Sequence, residues 1–212
     1  GDKTNSVKYT GQMARHVLHD SLKALVKTGD VSKMMAYFNG EDGLEIIAPK
    51  SKDDFIIKQT MVSEIGSGNL SGKTYKGAIA GWGNLTGPEV LEHMMNKAAE
   101  VEGGFDPNTG FDYTQLISKF AMGAVFYNQA VNNYLGKKME IGQKPNSKPY
   151  KDGAYYTGKE HSWDEAFGYW GSAAHALTLS AEQNYNVAKK KDMASADYNG
   201  DGVVDLYSEY TF

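Results

Sequence analysis

The sequence predicts an all-α fold: a helical bundle that carries a long irregular Gly-rich insertion and a C-terminal calcium loop. Three observations predict it. Apolar residues recur at three- and four-residue spacing on both sides of residues 40–86. Within that interval Gly66, Gly68, Gly72, Gly77, Gly81 and Gly83 break any regular period. Near the end, Asp197-Tyr-Asn199-Gly-Asp201-Gly202-Val203-Val204-Asp205 places oxygen-bearing residues at alternate positions.

At 212 residues, with 41% hydrophobic and 23% charged side chains, the chain can bury a core of useful size. A net charge of −4 gives no sequence-wide attraction for nucleic acid or an anionic membrane. There is no Cys, which excludes disulfides, thiolate metal sites and Cys nucleophiles. No run of about 18 apolar residues is present, so no transmembrane segment is expected. A Cys-free, Tyr- and Gly-rich, mildly acidic chain fits an exported bacterial protein, and Gly1 to Asn5 read as a processed or trimmed start. We expect a single domain over residues 1–212, with the insertion at about 40–86 and the calcium loop at 197–209.

Taken in order, Gly11 to Lys27 is a helix with Met13, Val17, Leu18, Leu22 and Leu25 on its apolar stripe. Thr10 stands where a cap belongs, and Gly29 stops the helix. His16, His19 and Asp20 have ligand-like spacing, but His16 falls in the centre of the polar side, so the set is expected to face solvent, with His19, at the border, able to reach inward. A shorter helix, Val31 to Phe38, ends at Asn39-Gly40. In the insertion a helix near Asp53 to Ile65 is expected, the rest being an ordered loop with a short hairpin. Pro88 to Glu100 returns to helix, and Asp106 to Gly110 is a turn. Tyr113 to Leu135 is apolar almost all round, which places it in the middle of the bundle. Gln115, Asn128, Gln129 and Asn132 there then need partners, because an unpaired buried amide costs about 1–3 kcal/mol. The Lys137, Lys138, Lys144, Lys148 and Lys151 cluster reads as a solvated loop.

Tyr155 to Ala188 is read as one long helix, or two in line broken near Gly168 and Gly171. At about 100° per residue, His161, Asp164, Glu165, Gly168, Ser172 and His175 share one stripe. Trp163, Phe167, Trp170 and Leu177 lie opposite and are expected to anchor the helix from behind. His161, Asp164 and Glu165 occupy one turn and are the candidate ligands for a transition metal, Fe or Zn. A solvated polar face is the plainer reading, but Gly168 and Ser172 in mid-stripe argue that something packs close. His175 lies about 21 Å along the axis from His161, too far to share an ion. His93 reads as surface, and Met34, Met35, Met94 and Met95 as core fillers.

In the tail, Asp197, Asn199, Asp201 and Asp205 stand at loop positions one, three, five and nine, with Val203 offering its carbonyl at seven. Ca²⁺ takes six to eight oxygens, and this spacing turns successive side chains inward. Position twelve is Ser208, where an acid is usual, and Glu209 comes one residue late. Either Glu209 swings in, or a water or carbonyl fills the gap.

The block His161-Ser-Trp-Asp-Glu-Ala-Phe-Gly-Tyr-Trp-Gly171 resembles the signature of a group of exported bacterial proteins, often lipoproteins, related to the imelysin-like proteins. Val7 to Gln12, Phe120 to Tyr127 and Asp201 to Tyr210 are similar to the same group. The resemblance implies two helical bundle halves, export to the periplasm or outer cell surface, and a loose association with iron uptake. It also implies that this chain is mainly a first half, completed by a second chain or a C-terminal half. Imelysin proper carries Gly-x-His-x-x-Glu; here an extra residue precedes His161, and Asp164 stands where Glu is expected.

Three functions follow as expectations. The first is an exported, calcium-stabilised binding protein that takes a metal ion, an iron carrier or another small ligand at the His161 turn. The second is a surface or assembly protein whose only ion is a structural calcium. The third, less favoured, is a metallopeptidase-like enzyme with His161 on the metal and Glu165 as general base.

Overall fold

The computed structural model describes residues 8–212. Gly1 to Asn5, and the Val7 that opens the first stretch of family likeness, lie outside the described residues. Among the described residues there are seven α-helices: α1 (Thr10–Leu25), α2 (Val31–Asn39), α3 (Gly87–Ala99), α4 (Tyr113–Ala121), α5 (Gly158–Trp170), α6 (Ala181–Ala188) and α7 (Met193–Ala196). A π-helix, Met122–Gly136, continues α4. Two short antiparallel strands, β1 (Phe105–Asp106) and β2 (Phe111–Asp112), clasp the Asp106–Gly110 turn. The fold is mostly helical, as its periodicity predicts.

The centre of the core is α1. Met13, Ala14, Val17, Leu18 and Leu22 on it are fully buried, and α2, α4 and α5 pack around it. Each such aliphatic side chain contributes about 1.5–3 kcal/mol by leaving water. The central place expected for Tyr113–Leu135 therefore goes to α1. Ile117, Ala121, Val125 and Phe126 do face inward, but Tyr127 is 60% exposed and Met122 46%. Buried Gln129 on this stretch finds partners, donating from Nε2 to the Lys73 carbonyl at 2.7 Å and accepting from Asn133 at 2.8 Å, whereas the buried Thr114 hydroxyl has none.

Helix ends follow local chemistry. Asp30 accepts the Lys33 amide at the start of α2, and Thr86 with Glu89 forms a reciprocal cap on α3, with Pro in its first turn. Thr10 is the first residue of α1 and not its cap; Tyr9 holds that position without a side-chain bond.

Residues 40–86 form an ordered loop, but the helix expected at 53–65 is absent apart from one 3-10 turn, Val62–Glu64. Tertiary bonds replace it. Ser21 accepts the Ile47 and Ala48 amides at 3.1 and 3.2 Å and donates to the Ala48 carbonyl. Ile57 makes a parallel bridge with Val204, which ties the insertion to the acidic tail loop.

Tyr155–Ala188 is not one helix. α5 ends at Gly171, whose φ of 77° is left-handed and whose added Cβ would sit 2.7 Å from the His16 ring. A short turn follows, and Ser180 with Gln183 caps α6. The chain breaks at Gly171 and not at Gly168, and residues 171–180, with one 3-10 turn at Ala176–Thr178, separate α5 from α6, so neither one long helix nor two helices meeting at the glycines is formed.

Candidate functional site

The polar side of α5 is positioned from both ends. At its start Thr157 accepts the Glu160 amide at 3.3 Å while Glu160 accepts the Thr157 amide at 2.7 Å. Further along, Gly168 presses on α1: a Cβ there would lie 2.5 Å from the Tyr9 Cβ and 2.8 Å from that of Gln12. The small residue in mid-stripe marks a close helix contact, as its placement suggested.

That contact brings four other residues to Glu165. Oε1 accepts from Gln12 Nε2 at 3.2 Å and from the Tyr134 hydroxyl at 3.3 Å. Oε2 lies 3.6 Å from His161 Nε2 and 3.9 Å from Lys138 Nζ. Lys138 in turn sits 3.4 Å above the Tyr134 ring. The His161 ring is flanked by Tyr150 and Tyr156 at centroid distances of 4.6 and 5.5 Å, and its Nδ1 is buried without a partner. The result is a cradle of one carboxylate, an imidazole, a phenol and an ammonium.

Electrostatics follow from this packing. Burial lowers the His161 pKa below its ordinary value, Glu165 opposes that, and Lys144, Lys138 and Lys151 reinforce it. The Lys138 amine is held down to about 8, first by burial and then by Lys144 and Lys73, against the pull of Glu165. Burial also pushes the Tyr134 phenol well above its usual range, with Glu165 adding to it.

Asp164 does not join this group. It is buried and accepts the Lys8 amide at 2.6 Å, which turns it toward the segment before α1. Burial pushes its carboxyl up to about 6, Lys8 pulling down and Glu165 adding to the rise. So α5 divides the predicted triplet: His161 and Glu165 meet, and Asp164 has its own environment.

The expected anchor behind α5 is missing among the described residues. Trp163 is 64% exposed and Trp170 76%, while Phe167 is half-buried and meets Tyr9 edge-on at 5.6 Å. It is the polar side of α5 that faces α1 and the π-helix. Likewise His16 is buried, contrary to the solvent-facing expectation, and His19 takes the inward alternative that its border position left open. His16 lies between Phe126 and Phe212, stacked at 4.3 and 5.0 Å, with Nε2 3.1 Å from the Gly168 carbonyl. Burial drives its pKa down to about 4. His19 meets the Ser118 carbonyl at 3.2 Å and Asp20 at 3.4 Å. His93 is exposed, and Met34, Met94 and Met95 fill the core, as expected. His175 is buried against Tyr198 and meets the Ser195 carbonyl at 2.8 Å, well apart from His161.

The sequence reading missed Gln12, Tyr134 and Lys138. Tyr134 reaches Glu165 because the π-helix repeats its inward face every four to five residues, through Val125, Gln129 and Tyr134. An α-helical wheel puts Tyr134 elsewhere. Lys138 belonged to the cluster read as a solvated loop; Lys137, Lys148 and Lys151 are exposed, but Lys138 and Lys144 are half-buried.

The tail loop is the second candidate. Asp197 accepts three backbone amides, from Gly200 and Gly202 at 2.9 Å and from Asp201 at 3.1 Å. Asn199 accepts the Asp201 amide at 2.8 Å, and Asp201 that of Val203 at 3.1 Å. Asp205 accepts from Tyr207 and from Gln59 Nε2, both at 2.8 Å. Glu209 is 3% exposed and swings inward, taking the Asn199 amide at 3.2 Å and the Asp205 amide at 2.9 Å. Among the described residues, no three His, Asp or Glu side chains converge on a common point suited to a metal, in this loop or at α5. An ion here would draw Asp197, Asp201 and Asp205 inward, with the Val203 carbonyl between them.

These features define a mostly helical protein with a polar cradle on one helix and an acidic loop beside it. The chain belongs to a domain family of unknown function, DUF4856, whose model matches residues 94–202. The match takes in α5 and residues 197–202 of the acidic loop. No curated protein and no solved structure matches the chain.

Proposed function

We propose that the protein is a binding protein clamped by calcium: the loop Asp197–Glu209 takes Ca²⁺, and the cradle around His161 and Glu165 is the ligand site. The observation that carries the reading is Glu209, a buried carboxylate whose two oxygens span both arms of the loop. An acid one place later than usual still reaches the interior. Calcium would join the tail to the insertion, since Asp205 also meets Gln59 and Lys58, and Val204 bridges Ile57. The loop's role in this reading is structural.

For the cradle, we propose that His161 and Glu165 hold a transition metal such as Fe or Zn, or a carrier of one. The likeness of the His161–Gly171 block to the exported imelysin-like group supports this reading, as does the buried, unpartnered His161 Nδ1. The same likeness supports export to the periplasm or outer surface and a second bundle half, in this chain or another. Metal content measured by mass spectrometry in wild type and His161→Ala tests the site. Loss of iron or zinc in the variant is expected; equal content in both would remove metal from the reading.

The exposed Trp163 and Trp170 favour a second reading, a surface or assembly protein with a structural calcium alone. Self-association at micromolar concentration, abolished by chelator, would select it; strictly monomeric behaviour would dismiss it.

A further inference from the structure

We infer that the cradle beside α5 receives a small oxyanion ligand, a molecule bearing carboxylate or phosphate groups, held by Lys138, Lys144, Lys73 and Arg15. This rests on the reading of that turn as the ligand site, and it names the chemistry that the site accepts.

Charge and donor balance both favour an anion. Lys138 Nζ stands 3.9 Å from Glu165 and 3.4 Å over the Tyr134 ring, Arg15 lies 5.9 Å over the neighbouring Tyr169 ring, and Lys144 lies 4.9 Å over Tyr150 beside His161, so cations outnumber the carboxylate there. Other nearby acids are occupied elsewhere, Glu160 on the cap of α5 and Asp164 on Lys8. The whole chain carries a net charge of −4, so this concentration is local and opposed to the average. Lys73 and Lys138 are also partly buried. Partly buried like charges repel one another more strongly than they would in water, and an anion among them relieves that repulsion.

The donors point the same way. Among the described residues, the ammonium groups of Lys73 and Lys138 donate to no oxygen within hydrogen-bond reach, and Lys144 faces the Tyr150 ring at 4.9 Å. The Tyr169 hydroxyl, 2% exposed, is buried with no partner, and its ring lies 5.5 Å from that of Tyr134. Arg15 stands 5.9 Å over the same Tyr169 ring. The buried Tyr169 hydroxyl and the Lys73 and Lys138 ammonium groups are short of acceptor oxygens, whereas Arg15 already donates from Nε and Nη1 to the Asn69 and Gly11 carbonyls. An oxyanion entering here would meet donors.

Titration calorimetry of the intact chain with inorganic phosphate and with succinate, calcium present and no transition metal added, tests the inference. At least one of the two should bind with a Kd below about 1 mM, the choice distinguishing phosphate from carboxylate recognition. Lys138→Gln or Lys144→Gln should weaken it about tenfold, while Lys191→Gln, an exposed lysine on another part of the surface, should not. Glu165→Gln should tighten it, because it removes the one competing carboxylate. Failure of both probes to bind, or equal effects of Lys138→Gln and Lys191→Gln, would overturn it. So would weaker binding in Glu165→Gln. If both probes fail while His161→Ala still loses metal, this inference falls and the metal reading stands.

Discussion

The loop at Asp197–Glu209 draws its polar contacts from its own residues and from Lys58 and Gln59, whereas Glu165 meets Gln12 and Tyr134 from distant stretches of the chain. In the loop, Asp197, Asn199 and Asp201 are satisfied within five residues of themselves, so spacing encodes most of that geometry, while Asp205 also reaches Gln59. In the cradle, each contact depends on how α1, α5 and the π-helix cross. A local motif survives changes in packing; an assembled site does not. The two regions should therefore respond differently to the same kinds of damage.

The largest effect should come from Gly168→Val. The added side chain collides with the backbone-proximal atoms of Tyr9 and Gln12, which cannot swing away as a long side chain would. We expect a loss of about 3 kcal/mol, or roughly 10 °C in Tm for a chain of this size. Calcium binding should persist in the folded fraction, while ligand or metal binding at His161 should not. Thermal melts with and without calcium would measure both; equal loss at the two sites would show that they are not independent.

Next is removal of the ion. With calcium at about a hundred times its Kd, binding adds about 2.7 kcal/mol to stability. Chelation of wild type should lower Tm accordingly. Asp201→Ala should lower Tm in calcium and change little in chelator, whereas equal drops in both buffers would mean that no ion binds there. A smaller effect is expected from Tyr134→Phe, which leaves Glu165 with Gln12 and its charged neighbours. Loss of one hydrogen bond to a carboxylate costs roughly 1.5 kcal/mol. Urea unfolding would report it, and an unchanged midpoint would show that Tyr134 contributes only its ring.

The sequence made the loop legible and the cradle half legible for the same physical reason. Asp197 to Asp205 and even the late Glu209 are read from spacing, because the chain turns on itself within that stretch. His161 and Glu165 come together because they are one helical turn apart. Their partners are tertiary. Tyr134 is invisible to an α-helical wheel because it stands on a π-helix, and Lys138 was hidden among lysines most of which face water. His16 was misplaced because a polar side of α1 was equated with a wet one, although Phe126 and Phe212 close over it. The exposed Trp163 and Trp170 show the reverse error, an apolar side equated with a buried one.

The finest distinction within the triplet concerns Asp164. Its carboxyl is raised to about 6 by burial, from about 3.8 unfolded. The protonated form is thus favoured by the fold: this contribution is fully present below pH 4 and is lost as pH rises through about 6. His16, lowered to about 4, has the opposite sign, since its contribution is present above about 6.5 and is lost as pH falls through about 4. Asp164→Asn keeps an acceptor for the Lys8 amide but cannot ionise. At pH 7 it should gain about 1 kcal/mol, once the shift is discounted for the solvent that reaches the group, and the gain should vanish near pH 4. His16→Gln, measured alongside, should instead flatten the loss of stability between pH 6.5 and 4. Tm profiles over pH 4–8 would separate the two. If Asp164→Asn tracked wild type across that range, Asp164 would not be an acid held by the fold, and its separation from the His161–Glu165 pair would lose its energetic meaning.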